Sequence, residues 1–287
     1  MGHNILIGSG WNSYLFRREI SSLVGIHDVI HPRILSFTSD SSFDNLSKSS
    51  LLDDHLKNAE ILTNISSNID EENISQLILD WSKRNLPEGS FAIRCRKIGQ
   101  VVNTLSSKKI EIEVGALLVS KKNKVNLENP EYEVVVVLAG LEDISSREIE
   151  FDELMPVIAW GLRVPISSNR QYNTRMPTDR PFFKPVSLEP RLARLMISLC
   201  HTPNYSPQKI IDPFCGTGGI AIEASLQGMH VLASDLDIEM IEGTINNLEW
   251  IKGIGKYEVK HCAVKDIKSM WGINKNSSFV FDPPYGR

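Results

Sequence analysis

The stretch from residue 208 onward constrains the fold most. Short apolar runs alternate there with longer amphipathic segments: KIID, GTGGIAIEASLQG, HVLASD, IEMIEGTINNLEWIKG, YEVKHCAV and SSFVFD. Strands separated by segments long enough to be helices predict a parallel, doubly wound sheet, because parallel neighbours need a crossover connection. The first strand runs into Asp212-Pro213-Phe214-Cys215-Gly216-Thr217-Gly218-Gly219. Glycines in a strand-to-helix turn let the backbone approach a ligand closely, and the N–H groups that open a helix can receive an anion. Ligands of open α/β sheets gather at the carboxyl ends of strands, where this turn lies. No Gly-Lys-Ser/Thr follows, so it is not a triphosphate loop, and the glycine spacing is not that of a dinucleotide fingerprint. Taken alone, the turn also fits a purely structural connection.

The second strand, VLASD, ends in Asp235, 23 residues after Asp212, with Asp237 two residues on. A carboxylate there can accept both hydroxyls of an adenosine ribose. Asp266, after the third strand in AVKDI, could accept from an adenine amino group. Singly, such acids are more often helix caps or solvated residues; three at successive strand ends behind a glycine turn form a pattern. The fourth strand ends in Asp282-Pro283-Pro284-Tyr285-Gly286, the sharpest signal in the chain. An exocyclic amino group on a base is a poor nucleophile, because its lone pair delocalises into the ring. A carboxylate and a backbone carbonyl accepting its two N–H bonds favour a pyramidal nitrogen. Two prolines fix the backbone that aims them, and Tyr285 can stack on a base taken out of its helix. A methyl sulfonium donor then needs in-line positioning rather than an acid. The structural alternative is a Pro-Pro turn after a buried strand.

The first half reads as α+β. Apolar runs at 4–7 and 29–35 precede a Ser- and Asp-rich loop at 39–50, and LLDDHLKNAEIL (51–62) spaces its apolar residues at helical intervals. Residues 73–85 predict an amphipathic helix with Ile74, Leu77, Ile78 and Trp81 on one face, and 90–95 a strand. A short element at 101–105 and strands at 111–119 and 132–138, the latter two separated by the turn segment KKNKVNLENP, complete the unit. Residues 142–181, with prolines at 156, 165, 177 and 181, read as irregular. The helix expected at 187–200 has Ser187 as N-cap and Leu192, Leu195, Met196 and Leu199 as its apolar face. The resulting partition is an α+β region at 1–150, a linker at 151–180 and an α/β domain at 181–287.

Charge bears on the partner. The formal net charge is −4, yet residues 81–124 carry +7 and residues 160–194 carry +5, leaving −16 elsewhere. Two basic segments on an acidic background can attract phosphates; the alternative is a pair of solvated faces. The four cysteines form no CxxC pair, which excludes a zinc ribbon and a disulfide framework, and no metal site is expected. The longest apolar stretch, Val134 to Leu141, is far too short to span a bilayer, and no signal peptide is read at the N-terminus. A cytoplasmic chain without a membrane partner is expected.

The ordered set DPFCGTGG, ASDLD, AVKDI and DPPYG resembles class I amino-methyltransferases. RPFFKPVSLEPRLARLM (180–196) is similar to the stretch leading into the catalytic domain of the archaeal tRNA guanine-10 N2-methyltransferase family, and FAIRCRKIG (91–99) to the core of a THUMP domain, the RNA-binding module of that family. The likeness covers residues 75 to 287, with low specificity in the N-terminal third. It implies an α/β protein: an N-terminal α+β region containing a THUMP-like RNA-binding domain at 50–150, then a Rossmann-like class I methyltransferase domain. That domain would be incomplete after its fourth strand, since the chain stops at Arg287 where the family continues. It also implies S-adenosylmethionine as cofactor, tRNA as partner, and methylation of guanosine 10 to N2-methyl- or N2,N2-dimethylguanosine. By position, Asp212, Gly216 and Gly218 would hold the methionine end of the cofactor, with Phe214 in the same cofactor-binding loop. Asp235 would take the ribose and Asp266 the adenine, while Asp282, Pro283, Pro284 and Tyr285 would form the catalytic tip. Another nucleic-acid amino group, in rRNA guanine N2, at another tRNA position or in adenine N6, fits the same chemistry. A catalytically inert tRNA-binding fragment is the alternative of a different class, and a dinucleotide dehydrogenase leaves DPPY without a role. A monomer is the expected state.

Overall fold

A computed structural model describes residues 3–37, 43–63, 65, 69–99, 105–140, 156–166 and 172–284. The chain forms two compact units. The first takes Met1–Arg17, Ile26–Ser41 and Leu52–Ile166; the second takes Arg18–Gly25, Ser42–Leu51 and Ser167–Arg287.

The first unit is built on β1 (His3–Gly8), β2 (Asp28–His31), β3 (Ile34–Phe37), β4 (Leu52–Leu62), β5 (Gly89–Ile98), β6 (Asn123–Val125), β7 (Tyr132–Ala139) and β8 (Val157–Val164). Helix α1 (Ser13–Leu23), whose residues from Arg18 on belong to the second unit, follows β1, α2 (Glu71–Asn85) follows β4 and α3 (Ser107–Leu118) follows β5. The eight strands form one sheet in the order β2-β3-β1-β4-β8-β7-β5-β6. β5 runs parallel to β6 and β7, and the remaining pairs are antiparallel. The run EVVVVLA of β7 is continuous because both its faces are covered. Val134, Val136 and Leu138 join a core with Ile74, Ile78 and Trp81 of α2 and Ile110 and Val114 of α3. Val135, Val137 and Ala139 join a second core with Ile5, Ile7, Ile34 and Leu56. Helix α2 starts at a capping box, in which the Asp70 carboxylate accepts from the Asn73 N–H at 2.8 Å.

Several expectations are corrected here. Residues 52–62 are a strand, not a helix: Asn58 takes a positive φ of 52° and the register slips between Lys57 and Glu60. That bulge breaks the two-residue alternation and imitates a longer period. Residues 107–118 are a helix, not a strand. Ser106 caps it through the Lys109 N–H, and Ile110 and Val114, four apart, are buried while Ile112 stays exposed. The turn segment after it contains the short strand β6, so the order is helix, strand, helix, strand, strand. The stretch expected to be irregular holds β8, paired with both β4 and β7. On α2, Leu77 is 42% exposed although Ile74, Ile78 and Trp81 are enclosed. Of the short element expected at 101–105, residues 101–104 lie outside the described residues, as do 142–155 and 167–171 of the stretch read as irregular.

The second unit carries α4 (Pro190–Ser198), β9 (Lys209–Asp212), α5 (Gly219–Leu226), β10 (His230–Asp235), α6 (Ile238–Ile251), β11 (Tyr257–His261), α7 (Ile267–Trp271) and β12 (Ser277–Phe279). All four strands are parallel, in the order β11-β10-β9-β12. The chain steps outward from β9 to β11, then returns to place β12 on the other side of β9, so the order reverses there. One face of the sheet packs Ile210, Val231 and Ala233 against Ile197, Ile220, Ile222, Ile241 and Leu248. The other packs Ile211 and Leu232 against Cys262 and Ile267. Helix α4 begins at Pro190 with Glu189 as N-cap, not Ser187, and buries Ala193, Arg194, Leu195, Ile197 and Ser198 rather than Leu192, Met196 and Leu199.

The early segments of this unit are fastened by buried polar groups. Arg194 donates Nη2 to the Ser47 carbonyl at 2.8 Å and Nε to the Lys48 carbonyl at 3.2 Å, and Ser198 Oγ donates to the Lys48 carbonyl at 2.8 Å. Glu19, fully buried, accepts from Ser49 Oγ and from the Ser50 and Leu51 N–H groups at 2.6–2.9 Å.

Candidate active site

Strand β9 delivers Asp212 to its carboxyl end with 1% of the residue exposed. Its Oδ1 accepts from the Phe214 N–H at 3.2 Å. Burial pushes this carboxyl up to about 7, and the charges of Asp235 and Asp282 push the same way. The turn that follows is held by its neighbours. The Cys215 N–H donates to the Ser234 carbonyl at 2.9 Å, and the Gly216 N–H to Asp235 Oδ2 at 2.9 Å. Gly216 and Gly218 take φ of +50° and +79°, left-handed conformations in which a Cβ is strained. A Cβ on Gly216 would meet nothing within 4 Å, whereas one on Gly218 would sit 3.0 Å from Thr244. The Gly216 backbone is therefore open to a close-lying ligand, and α5 begins one residue beyond Gly218.

Helix α6 braces this turn through residues the sequence reasoning missed. Thr244 Oγ1 donates to the Gly216 carbonyl at 2.9 Å. Asn247, fully buried, donates Nδ2 to the Thr217 and Phe182 carbonyls at 2.9 and 2.7 Å and accepts from the Phe182 N–H at 3.0 Å. The Phe182 ring lies over Gly243, where a Cβ would clash at 2.0 Å. The signal was present in IEGTINNLEW: Gly, Thr and Asn in a helix interior are poor helix formers and mark positions serving something else.

Asp235 uses both carboxylate oxygens on backbone N–H groups, Oδ2 on Gly216 and Oδ1 on Asp237 at 3.0 Å, and Asp237 caps α6 through the Glu239 N–H at 2.9 Å. Beyond β12 the Val280 N–H still pairs with the Ile211 carbonyl at 3.0 Å, which carries Asp282 alongside the end of β9. Pro283 and Pro284 are exposed, and the rings of Phe214 and Phe281 meet at 5.7 Å, tilted by 54°. The structure thus brings Asp212, Phe214, Gly216, Gly218, Asp235 and Asp282 to one end of the sheet. Asp266 is exposed at the start of α7 and enters none of these interactions among the described residues. Tyr285 lies outside the described residues. Among those described, no group of three His, Cys, Asp or Glu side chains is arranged for a metal ion, and no helix is long and apolar enough to cross a membrane.

The two basic segments fare differently. In the first unit Arg94 and Arg163 pair with Glu133 at 3.3 and 2.7 Å, Arg96 with Asp54, Lys109 with Glu71 at 3.3 Å and Lys122 with Glu88. Lys97, Lys108, Lys121 and Lys124 are exposed and enter no ion pair among the described residues. In the second unit Arg175, Arg180 and Arg194 are enclosed, so these three offer no phosphate-binding face.

Residues 69–140 match the THUMP domain family, and residues 177–287 match the RMKL-like methyltransferase domain family. The chain is 36% identical over 209 residues to the tRNA (guanine(10)-N2)-dimethyltransferase of Methanothermobacter thermautotrophicus, a match covering 72% of this chain and 54% of that protein. It is 30% identical over 223 residues to the enzyme of the same name from Pyrococcus abyssi, covering 77% of this chain and 60% of that protein. The chain thus spans between half and three-fifths of the length of these relatives. Among solved structures it is similar in fold to TrmN from Thermus thermophilus, with a TM-score of 0.54 and 17% identity over 99% of this chain and 80% of that one.

Proposed function

We propose that this chain, a THUMP domain followed by an RMKL-like methyltransferase domain, serves the S-adenosylmethionine-dependent methylation of a guanine N2 amino group in tRNA, at guanosine 10, giving N2-methyl- or N2,N2-dimethylguanosine. The observation that carries the reading is the adjacency of β9 and β12 at the reversal of strand order. It sets the Asp212–Gly218 turn beside Asp282, and a reaction between a cofactor on one and a base on the other needs that adjacency. The relatives' names supply the acceptor, and the proposal inherits it from them.

The residues fit an amino-acid-bearing adenosine cofactor. Gly216 has an open backbone, Asp212 presents acid to an ammonium group, and Asp235 stands where ribose hydroxyls can reach a carboxylate already fixed by two N–H bonds. Asp266, exposed after β11, is free to turn to an adenine edge. When bound, S-adenosylmethionine supplies an electrophilic methyl group that needs no acid catalyst. The task of the chain is then to hold the acceptor nitrogen. In this proposal the Asp282 carboxylate and a carbonyl of the Pro283–Pro284 segment accept its two N–H bonds, draw the lone pair out of the ring and aim it in line, and Asp282 receives the released proton. Tyr285 would stack on the base. The THUMP domain would bind tRNA, with Lys97, Lys108, Lys121 and Lys124 as phosphate contacts.

The test uses the 287-residue chain with radiolabelled S-adenosylmethionine and two tRNA transcripts, one with guanine 10 replaced. Label entering only the unaltered transcript supports the assignment. Equal labelling of both removes the position, and labelling of neither with cofactor bound removes activity from this chain.

A further inference from the structure

Two exposed aromatic side chains of the first unit sit on one short stretch. Trp11 is 47% exposed and Tyr14 43%. Trp11 lies in the connection from β1 to α1, and Tyr14 is the second residue of α1. The connection that carries them is pinned at several points. The Gly8 N–H donates to the Arg33 carbonyl, and Arg33 Nε donates back to the Gly8 carbonyl, both at 2.9 Å. A Cβ on Gly8 would strike the Phe16 ring at 2.4 Å, and one on Gly10 would lie 3.1 Å from Arg33 Nη1. Phe16 and the Arg33 guanidinium therefore close directly on the loop backbone. Asn12 opens α1: its Oδ1 accepts from the Leu15 N–H at 2.8 Å and its carbonyl from the Phe16 N–H at 3.0 Å. The Arg17 guanidinium stands 6.0 Å from the Tyr14 ring centroid and donates Nη1 to the Pro32 carbonyl at 3.1 Å.

Arg33 also begins a chain of ion pairs that runs from the loop to other strands of the sheet. Asp53 of β4 stands 3.9 Å from Arg33 and 3.9 Å from Arg96 of β5. Arg96 pairs as well with Asp54, Asp54 with Arg163 of β8 at 2.8 Å, Arg163 with Glu133 of β7 at 2.7 Å, and Glu133 with Arg94 at 3.3 Å. Each carboxylate is shared by two guanidiniums, so the chain holds four cations and three anions. It steadies Arg33 beneath the loop and is itself cationic on balance.

We propose that Trp11 and Tyr14 form a stacking platform for an unpaired base of the RNA that this chain binds. The proposal rests on the reading of tRNA as substrate. A duplex hides the faces of its bases. An unpaired nucleotide offers a π-face, which an indole or phenol ring matches whatever the base. A ring held in place beforehand loses little freedom when the base arrives, which is what the pinned loop contributes. The guanidiniums are engaged with carboxylates, so they draw the RNA backbone by their field rather than by contact. The platform distinguishes unpaired from paired segments and fixes where the unpaired one rests on the first unit. It takes no part in methyl transfer.

The experiment is filter binding of the 287-residue chain to an unmodified tRNA transcript and to a blunt RNA duplex without unpaired nucleotides. Trp11→Ala should weaken tRNA binding by about 5- to 100-fold, the range of one base–aromatic stack. Trp11→Phe should stay within a few-fold of wild type, and Trp11→Leu should fall with alanine, because stacking needs a ring. Duplex affinity should be the same in all four proteins. The dependence of tRNA affinity on salt should keep its slope in Trp11→Ala, since a stacked base releases no counterion. Equal weakening of tRNA and duplex binding by Trp11→Ala would overturn the proposal, because the contact would then not read unpaired bases. A leucine as good as phenylalanine would mean an apolar contact of the kind a protein partner makes, and would also overturn it. Unchanged tRNA affinity in Trp11→Ala, with methyl transfer intact, would overturn it while leaving the methyltransferase reading standing. A wild type that neither binds nor methylates tRNA would overturn both.

Discussion

Replacing Asp212 by asparagine should stabilise the ligand-free second unit, and the gain should grow with pH. The carboxyl is pushed up to about 7 from an ordinary value of 3.8, chiefly by burial, with Asp235 and Asp282 adding to it. Below 3.8 the folded and unfolded chains both hold the proton. Between 3.8 and about 7 the unfolded chain releases it and the folded one does not, so stability falls as pH rises; above about 7 the whole cost is present. That distance corresponds to at most about 4 kcal/mol. Asparagine keeps the acceptor for the Phe214 N–H and cannot ionise. Between pH 5 and pH 8.5 the advantage of Asp212→Asn over wild type should therefore widen by about 2–3 kcal/mol. Hydrogen exchange in urea, read on peptides from β9 to α6, isolates this unit from the other. An advantage that does not change with pH, or a variant less stable than wild type at pH 8.5, would refute the reasoning. The same substitution should weaken binding of a cationic cofactor, so that stability and function pull in opposite directions at one side chain.

Three further outcomes are expected. Gly218→Ala should cost more than Gly216→Ala, because both pay a left-handed penalty of about 1–2 kcal/mol but only at Gly218 does the new Cβ meet Thr244 at 3.0 Å; equal shifts in thermal denaturation would count against the described packing. Asn247→Ala removes two donated bonds and one accepted bond in a fully buried setting and should lower stability by about 2–4 kcal/mol, seen as a lowered urea midpoint and loosened exchange at 180–184. With four lysines of the 81–124 segment exposed and outside ion pairs among the described residues, the logarithm of tRNA affinity should fall against the logarithm of salt with a slope of roughly −3 to −4; a slope near −9 in filter binding would mean that the ion-paired and enclosed cations also reach phosphate.

The second unit was legible because each local signal agreed with the next. Gly, Asp and Pro mark the strand ends, and a parallel sheet places every strand end on the same side, so linear order translates directly into a shared site. The first unit misled where local pattern and tertiary context disagreed. In 107–118 the residues Ile110, Ile112 and Val114 alternate like a strand, but a Ser106 cap and packing on β5 and β7 decide for helix. In 52–62 a bulge at Asn58 disguised the alternation. The basic segment at 160–194 looked like a surface patch because sequence shows charge but not enclosure, and Glu223, 29 residues after Arg194, gave no hint that it would draw arginines inward.

The two family domains lie in tandem along the sequence, an order that invites a history of cut-and-paste by gene fusion. The fastening of residues 47–51 argues otherwise for the second unit. A polypeptide restarted at residue 167 would strip Arg194 of the Ser47 and Lys48 carbonyls and Ser198 of its Lys48 acceptor, exposing a seam of donors that a transplanted copy must cover afresh. The folding unit is therefore discontinuous along the sequence, and a fragment meant to hold this unit needs the 43–51 segment as well as the residues from 172 onward.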